Sequence, residues 1–257
     1  MIYVESGFVG NIYDLDHPRV LWNSICRRAT VAASTEVAGR SAVNAATATT
    51  FDKWQASALP AWWELTFDAA ETISAIAIDT HTIGSAGASI AVQERNGASW
   101  VDVVAAVSPA DDAPIAFLFE ARTTDRIRIY ITGATAPTIA VIHCSDALEL
   151  PQKVYMGVST PVDMALVTEY ETNQSAQGQY LGRSTARQKN TNDFSVAHLT
   201  ERFVREELFT FIKDAREYPY FLLERPYQTP TALSYRWRDD DIRPERMGIK
   251  SYMQVNL

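Results

Sequence analysis

Apolar and polar residues alternate along much of the first 150 residues. One such run is the segment at 63–67, and another is the segment at 126–131. A period of two is typical of a β-strand that turns one face toward a core. Further β-branched or aromatic runs predict strands at 73–79, 88–94, 100–104, 115–119 and 138–144. Turn-forming residues separate these runs, so the region is predicted to be an antiparallel β-sandwich.

The pattern changes after Pro151. Candidate strands follow at 155–158, 165–170, 178–183, 194–199, 220–223, 232–237 and 253–257. Between two of them, apolar residues recur at helical spacing from 200 to 217, with Thr200 available as N-cap and Pro219 beyond the end. The polar segment 183–192 is predicted to be an exposed loop or arm. One amphipathic helix on a sheet indicates a smaller α+β domain.

Charge divides the chain at the same place. Residues 1–150 hold nine Lys and Arg against 17 Asp and Glu, a net charge of −8, whereas residues 151–257 hold 14 of each. An acidic surface argues against binding to nucleic acid. No apolar run has the length of a membrane span. The first ten residues lack the basic and apolar regions of a secretory signal, so we expect folding in a cytoplasm.

The sequence contains no established catalytic motif. Nucleophile elbows, phosphate loops, dinucleotide turns and zinc-binding pairs are all missing. Cys26 and Cys144 are expected to be reduced and buried, and the carboxylate run 239–241 is expected to be a solvated turn. The chain is therefore predicted not to be an enzyme and to need no cofactor or metal. A glycosidase with two distant carboxylates leaves no compact motif and stays open as a minor alternative.

Aromatic residues are the stronger candidates for function, because sugar-binding sites use aromatic faces together with a few polar groups. Trp63 and Trp100 have the inward phase of their strands and are predicted to be core residues. Trp54 lies in a loop-like segment and Trp62 has the outward phase, so these two are candidates for ligand binding. An alternative for Trp54 is that it closes the bottom of the sandwich.

An ordered set of segments resembles the galactose-binding-like, discoidin-type jelly roll. The set comprises Trp54, the run 62–68, the strand 73–78, the strand-turn-Trp segment 90–100 and the strand 122–132. The resemblance implies a jelly-roll sandwich over about residues 24–147. The segment 44–50 lacks the Asp-Gly that commonly begins the family's calcium loop, so no bound calcium is expected.

The rest of the chain resembles tail-tip proteins of long-tailed bacteriophages. The resemblance rests on the opening segment 11–20 and on short segments at 235–237, 241–244, 247–249 and 253–255. It implies an N-terminal segment 1–20 that joins an assembly domain at 151–257, with the jelly roll at 21–150 between them. The fold expected for the whole chain is thus mainly β, a jelly roll plus a smaller α+β assembly domain.

The two resemblances imply a structural component of a phage virion. The protein would form a homo-oligomeric ring, a hexamer, at the tail tip, in contact with other tail proteins, and its jelly roll would bind host polysaccharide. The alternative is a carbohydrate-binding accessory module of a sugar-processing system.

The family's usual binding loops correspond here to 46–53 and 80–86. The candidate ligand residues are therefore Lys53, Trp54, Trp62 and His81, and the net charge of −8 favours neutral glycans.

Overall fold

The computed structural model describes residues 1–153, 165–190, 194–227, 233–238, 240–248 and 251–257. Ten β-strands precede Leu150, of which eight form the jelly-roll sheet and two, β2 and β10, belong to a second sheet that covers it. Their bounds are β1 Ile2–Val4, β2 Arg19–Leu21, β3 Thr30–Ala33, β4 Trp54–Gln55, β5 Ala61–His81, β6 Ser89–Asn96, β7 Ser99–Val107, β8 Ile115–Thr132, β9 Thr138–Ser145 and β10 Ala147–Glu149. Two 3₁₀ turns, Ile25–Arg27 and Ala42–Ala46, lie between them.

One continuous sheet forms the jelly roll. Its strand order is β4-β9-β5-β8-β6-β7, with β3 paired to β5 and β1 paired in parallel to β8. Register shifts interrupt the β5–β8 pairing between Thr66 and Glu71 and between Ile73 and Ala75, and irregularities of this kind bend strands. The runs predicted as separate strands at 63–67 and 73–79 are therefore both parts of β5, and those at 115–119 and 127–131 are both parts of β8.

Alternate residues of these strands fill the sandwich. Large side chains such as Trp63, Ile76, Phe117 and Ile129 point into one buried cluster. Trp63 is thus a core residue, as predicted, and its indole N–H donates to the carbonyl of Ala42 at 2.9 Å. The predicted fold class, mainly β with antiparallel sheets and one short helix, is confirmed.

A second sheet has the strand order β10-β2-β14-β15. Its last two strands are β14 Tyr220–Leu223 and β15 Leu233–Arg236. The chain enters the jelly roll from β2 and leaves it into β10, and these two strands are antiparallel neighbours. The segment 1–20 is divided between the two parts of the fold: β1 extends the jelly roll, whereas β2 begins the second sheet.

A buried ion pair fixes the start of this second sheet. The guanidinium of Arg19 donates to Glu149 Oε1 at 3.1 and 3.2 Å, and both residues are almost fully buried. The same carboxylate accepts the backbone N–H groups of Asn11, Ile12 and Tyr13. A buried carboxylate needs such a set of partners, since the guanidinium compensates its charge and the backbone N–H groups satisfy its remaining lone pairs. The N-terminal segment is thereby held against β2 and β10.

The second sheet packs on the outer face of the jelly roll. The jelly roll contributes mostly small side chains to this contact, namely Ala75, Ala77, Ala116 and Ala140. The second sheet contributes larger ones: Leu21, Phe221, Leu223 and Leu233. Residues 73–78 are therefore buried on both faces of the sheet, which explains why every one of them is inaccessible to solvent.

The predicted helix is present. Helical structure runs without a break through Glu201–Phe203, a π-helical stretch Val204–Leu208, and Phe209–Asp214. The Thr200 hydroxyl accepts the N–H of Phe203, as expected of the N-cap. Val204, Leu208, Phe211 and Ile212 face a third buried cluster. No helix in the described part of the chain is long and apolar enough to cross a membrane.

The remaining strands form two small sheets. β13 Ser195–Thr200, β16 Glu245–Met247 and β17 Tyr252–Asn256 make one of them. The other is a hairpin of β11 Leu166–Gln174 and β12 Tyr180–Asn190. The prediction of an exposed loop or arm at 183–192 is correct in that residues 183–188 are exposed, but residues 183–190 form a strand and not a loop, because a polar segment can pair along its backbone as well as an apolar one. The strand predicted at 155–158 and part of the carboxylate run at 239–241 lie outside the described residues.

The packing of the second sheet on the alanines of the jelly roll leads to a stability prediction. Replacing Ala77 by Leu adds three heavy atoms to a packed sheet interface, and overpacking of this kind costs about 1–3 kcal/mol. We expect Ala77→Leu to lower the free energy of unfolding by that amount in urea denaturation. Ala105→Leu, on an exposed position of β7, is the matched control. Equal stabilities for the two variants would contradict the sheet-on-sheet contact.

His143 gives the fold a dependence on pH. It pairs with Ala77 across the β5–β9 ladder and contacts Phe221 edge to face. Burial lowers its pKa to about 3, so the folded protein binds fewer protons than the unfolded chain between pH 3 and the ordinary value near 6.5. Stability therefore falls as pH falls below about 6.5.

We expect His143→Gln to lessen this loss. Relative to pH 7, the wild type at pH 4.5 should lose about 2–3 kcal/mol more than the variant, as measured by denaturation at each pH. Parallel pH profiles for the two proteins would show that His143 is not the group responsible.

Candidate functional site

Trp54 is fully buried in the sandwich. Its strand pairs with Ile139 of β9, and its indole N–H points at the carbonyl of Thr35 at 3.4 Å. The ring has no free face on which a sugar could stack, which corrects the expectation that Trp54 is exposed. The loop-like residues before it gave no sign that β4 joins the edge of the sheet. The alternative, that Trp54 fills the sandwich, agrees with its position.

His81 is also buried, on the other side of Ile139 from Trp54. Its Nε2 contacts the carbonyl of Ala113 at 2.8 Å, and its Nδ1 accepts the N–H of Ile83 at 3.1 Å. Burial lowers the pKa of the ring, which favours the neutral form with the proton on Nε2. Both nitrogens have partners within the fold, so His81 acts as a structural residue. Lys53 precedes Trp54 and is half-buried.

Trp62 lies apart from the other three predicted residues. It is half-buried on the outer side of the sheet, directly opposite Tyr130 in the β5–β8 ladder. Its neighbours on that side come from four strands, and we call this surface the aromatic–arginine face. It comprises Trp62, Glu64, Gln93, Arg95, Trp100, Asp102, Arg126, Arg128 and Tyr130.

Arg128 lies at the centre of this face and is held in place from two sides. Its guanidinium carbon is 4.1 Å from the centre of the Trp100 ring and 5.3 Å from that of Tyr130. Its Nε donates to Gln93 Oε1 at 2.7 Å, and the Gln93 amide in turn donates to Asp102 Oδ1 at 2.7 Å. Stacking and hydrogen bonding together fix the orientation of the guanidinium plane.

The arginines of the face retain unused hydrogen-bonding capacity. Arg126 has one carboxylate nearby, Glu64 at 3.7 Å. The Arg95 Nε donates to the carbonyl of Gly97. Among the described residues, no carboxylate lies within 4.0 Å of the guanidinium of Arg95 or Arg128. The terminal N–H groups of Arg128 are therefore available to a ligand.

A cavity lies elsewhere, between the jelly roll and the helix. It has a volume of about 590 Å³, and Trp22, Phe203 and Tyr13 contribute to its walls. Four of its five charged side chains have hydrogen-bond partners: Arg28 donates twice to Glu71, Glu149 is bound by Arg19, and Asp146 accepts from Ser74. Because most of these charged groups are already hydrogen-bonded within the protein, the cavity offers few of them to a ligand.

The described residues show no cluster of metal-ligating side chains. No group of three or more His, Cys, Asp or Glu side chains is placed to hold a metal ion there. Burial raises the pKa of the Cys26 thiol to about 11 and raises that of Cys144 as well, so neither thiol is a ready nucleophile.

Several residues of the face were missed in the sequence. Trp100 was predicted to be a core residue but is half-buried beside Arg128. The arginines were visible as the outward phase of the strand at 126–131, and the alternation alone located them. The pairing of β8 with β5 and β6, which gathers Trp62, Gln93 and Arg128, depends on long-range register and has no local signal.

Comparisons with solved structures find likenesses to about half of the chain. A chitosan-binding module 1 from a chitosanase/glucanase of Paenibacillus sp. IK-5 is 17% identical with a TM-score of 0.41, over 48% of this chain and 98% of that chain. A pectin-binding carbohydrate-binding module is 22% identical with a TM-score of 0.41, over 51% and 96%. The family 32 module of C. perfringens NanJ, in complex with galactose, is 17% identical with a TM-score of 0.41, over 49% and 98%.

At these identities and TM-scores, the likenesses assign no ligand to this chain. No family model matches the sequence, and a comparison with curated proteins finds no match.

Proposed function

We propose that this protein is a non-enzymatic saccharide-binding protein and that its aromatic–arginine face is the binding surface. The observation that supports the proposal is the combination of aromatic rings with free guanidinium N–H groups on one exposed side of a rigid sheet. Saccharides are recognised by such a combination, in which aromatic rings cover the apolar face of a sugar and polar groups bind its hydroxyls.

The dimensions of the face suit an oligosaccharide. It extends from β5 across β8 and β6 to β7, and three strand spacings amount to about 14 Å. Trp62 lies on the strand at one end of this distance with Tyr130 on the next strand, and Trp100 and Asp102 lie on the strand at the other end. A chain of several sugar rings could contact both aromatic groups. Residues on strands are also held more accurately than residues on loops, which reduces the entropy lost on binding.

Substitution of Trp62 tests the proposal. Trp62→Leu keeps an apolar side chain on the strand but removes the flat ring, and we expect at least a tenfold loss of affinity for whichever oligosaccharide the wild type binds on a glycan array. Phe51→Ala is the matched control, because Phe51 is an aromatic residue that is 90% exposed in the loop 46–53. Loss of binding in Phe51→Ala with retention in Trp62→Leu would move the site to the loops.

A second function, structural assembly, is favoured by the hairpin of β11 and β12. Leu166, Tyr170, Tyr180 and Leu181 are exposed on it. The outer edges of the hairpin pair with no other strand among the described residues. Exposed apolar residues on such a hairpin are characteristic of a surface that contacts another subunit. The expected role as a ring-forming component of a phage tail tip, located in the virion and in contact with other tail proteins, is retained as a proposal on this observation.

The mass of the protein in solution tests the assembly proposal. For a chain of 28.6 kDa, we expect light scattering after size exclusion to give a closed oligomer, a hexamer if the ring proposal holds. A Tyr180→Ser, Leu181→Ser variant should be smaller, because it removes exposed apolar contacts and leaves the two cores intact. A monomeric wild type at every concentration would contradict the proposal.

A further inference from the structure

The aromatic–arginine face has a local charge opposite to that of its domain. Residues 1–150 hold nine basic and 17 acidic residues. Three of the nine basic residues, Arg95, Arg126 and Arg128, share this one face with only two carboxylates, Glu64 and Asp102. The face therefore has a formal charge of +1 within a domain of charge −8.

The two carboxylates are already engaged. Asp102 accepts the amide of Gln93, which also orients Arg128, and Glu64 lies 3.7 Å from Arg126. The guanidinium of Arg128 is partly desolvated, which lowers its pKa, yet an arginine stays protonated in proteins. A fixed, partly desolvated cation without an ion pair is the arrangement that gains most from a ligand carboxylate.

We propose that the face binds acidic saccharides, specifically oligosaccharides of uronic acids. This inference rests on the proposed saccharide-binding function and names its ligand class. The terminal N–H groups of Arg128 would donate to the carboxylate of one uronate. Arg126 or Arg95 would pair with the carboxylate of the next uronate in the oligosaccharide, and Trp62 and Tyr130 would contact the sugar rings. Charge complementarity thus selects the ligand while the aromatic rings supply contact area.

The inference reverses the expectation of neutral glycans. That expectation used the net charge of the domain, but interactions between exposed charges are screened beyond about 8 Å in physiological salt. A bound saccharide therefore responds mainly to the charges of the face itself. These are positive, although the surface as a whole is negative.

Matched acidic and neutral probes test the inference on the full chain. Oligogalacturonate and oligomannuronate are each compared with their methyl esters, which have the same sugar rings without the charge, by isothermal titration calorimetry. We expect the acids to bind at least tenfold more tightly than the esters, with an affinity that falls as salt is raised. Arg126→Gln, Arg128→Gln should remove this preference.

Arg202→Gln is the control variant, because it also replaces an arginine by glutamine, at an exposed helix position of the other domain. It should bind like the wild type. Equal affinity of the wild type for acids and esters, with binding still lost in Trp62→Leu, would overturn the uronate inference and leave the proposed function standing. Undiminished binding of the acids by the double arginine variant would also overturn it. So would a change in oligomeric state of that variant, since the face would then be a subunit contact.

Discussion

The packing of the second sheet on the jelly roll is the contact on which the rest of the structure depends. It is possible because β5, β8 and β9 present alanines on their outer side where the sheets meet, while their isoleucines and phenylalanines point into the sandwich. Small side chains on one sheet leave room for Phe221 and Leu223 of the other, and all of these residues are buried. The buried pair of Arg19 and Glu149 then fixes the two chain crossings beside it.

This contact also determines which part of the jelly roll is free to bind. β5 and β8 are long strands, and the second sheet covers only one half of each. Residues 73–78 of β5 are buried on both sides, whereas residues 62–66 alternate between buried and half-buried. The aromatic–arginine face consists of the uncovered half of the same two strands together with the adjoining parts of β6 and β7. Within this half, Trp62 and Arg128 lie on strands that pair with each other and with β6, which fixes their positions relative to one another.

The sequence allowed the class of the fold, the helix and most strands to be predicted, because these depend on local periodicity. Trp63 in the core and Thr200 as N-cap follow from phase and spacing in the same way. The candidate site was harder to predict from the sequence. Trp54 and His81 were placed in loops, but long-range pairing of β4, β9 and β5 buries both. Arg128 was visible only as an outward residue, and its contacts with Trp100 and Gln93 come from strands some 30 residues away.

The central claim is that the uncovered half of β5 and β8 is the ligand-binding surface. Fluorine NMR of protein labelled with 5-fluorotryptophan tests it most directly, because the six tryptophans are distributed among the competing surfaces. Trp62 and Trp100 report on the face, Trp22 on the cavity between the domains, and Trp54 on the loop end of the sandwich. On titration with an oligosaccharide that binds, the account predicts shifts for Trp62 and Trp100 while Trp22 and Trp54 stay unchanged. Shifts confined to Trp22 or Trp54 would contradict it.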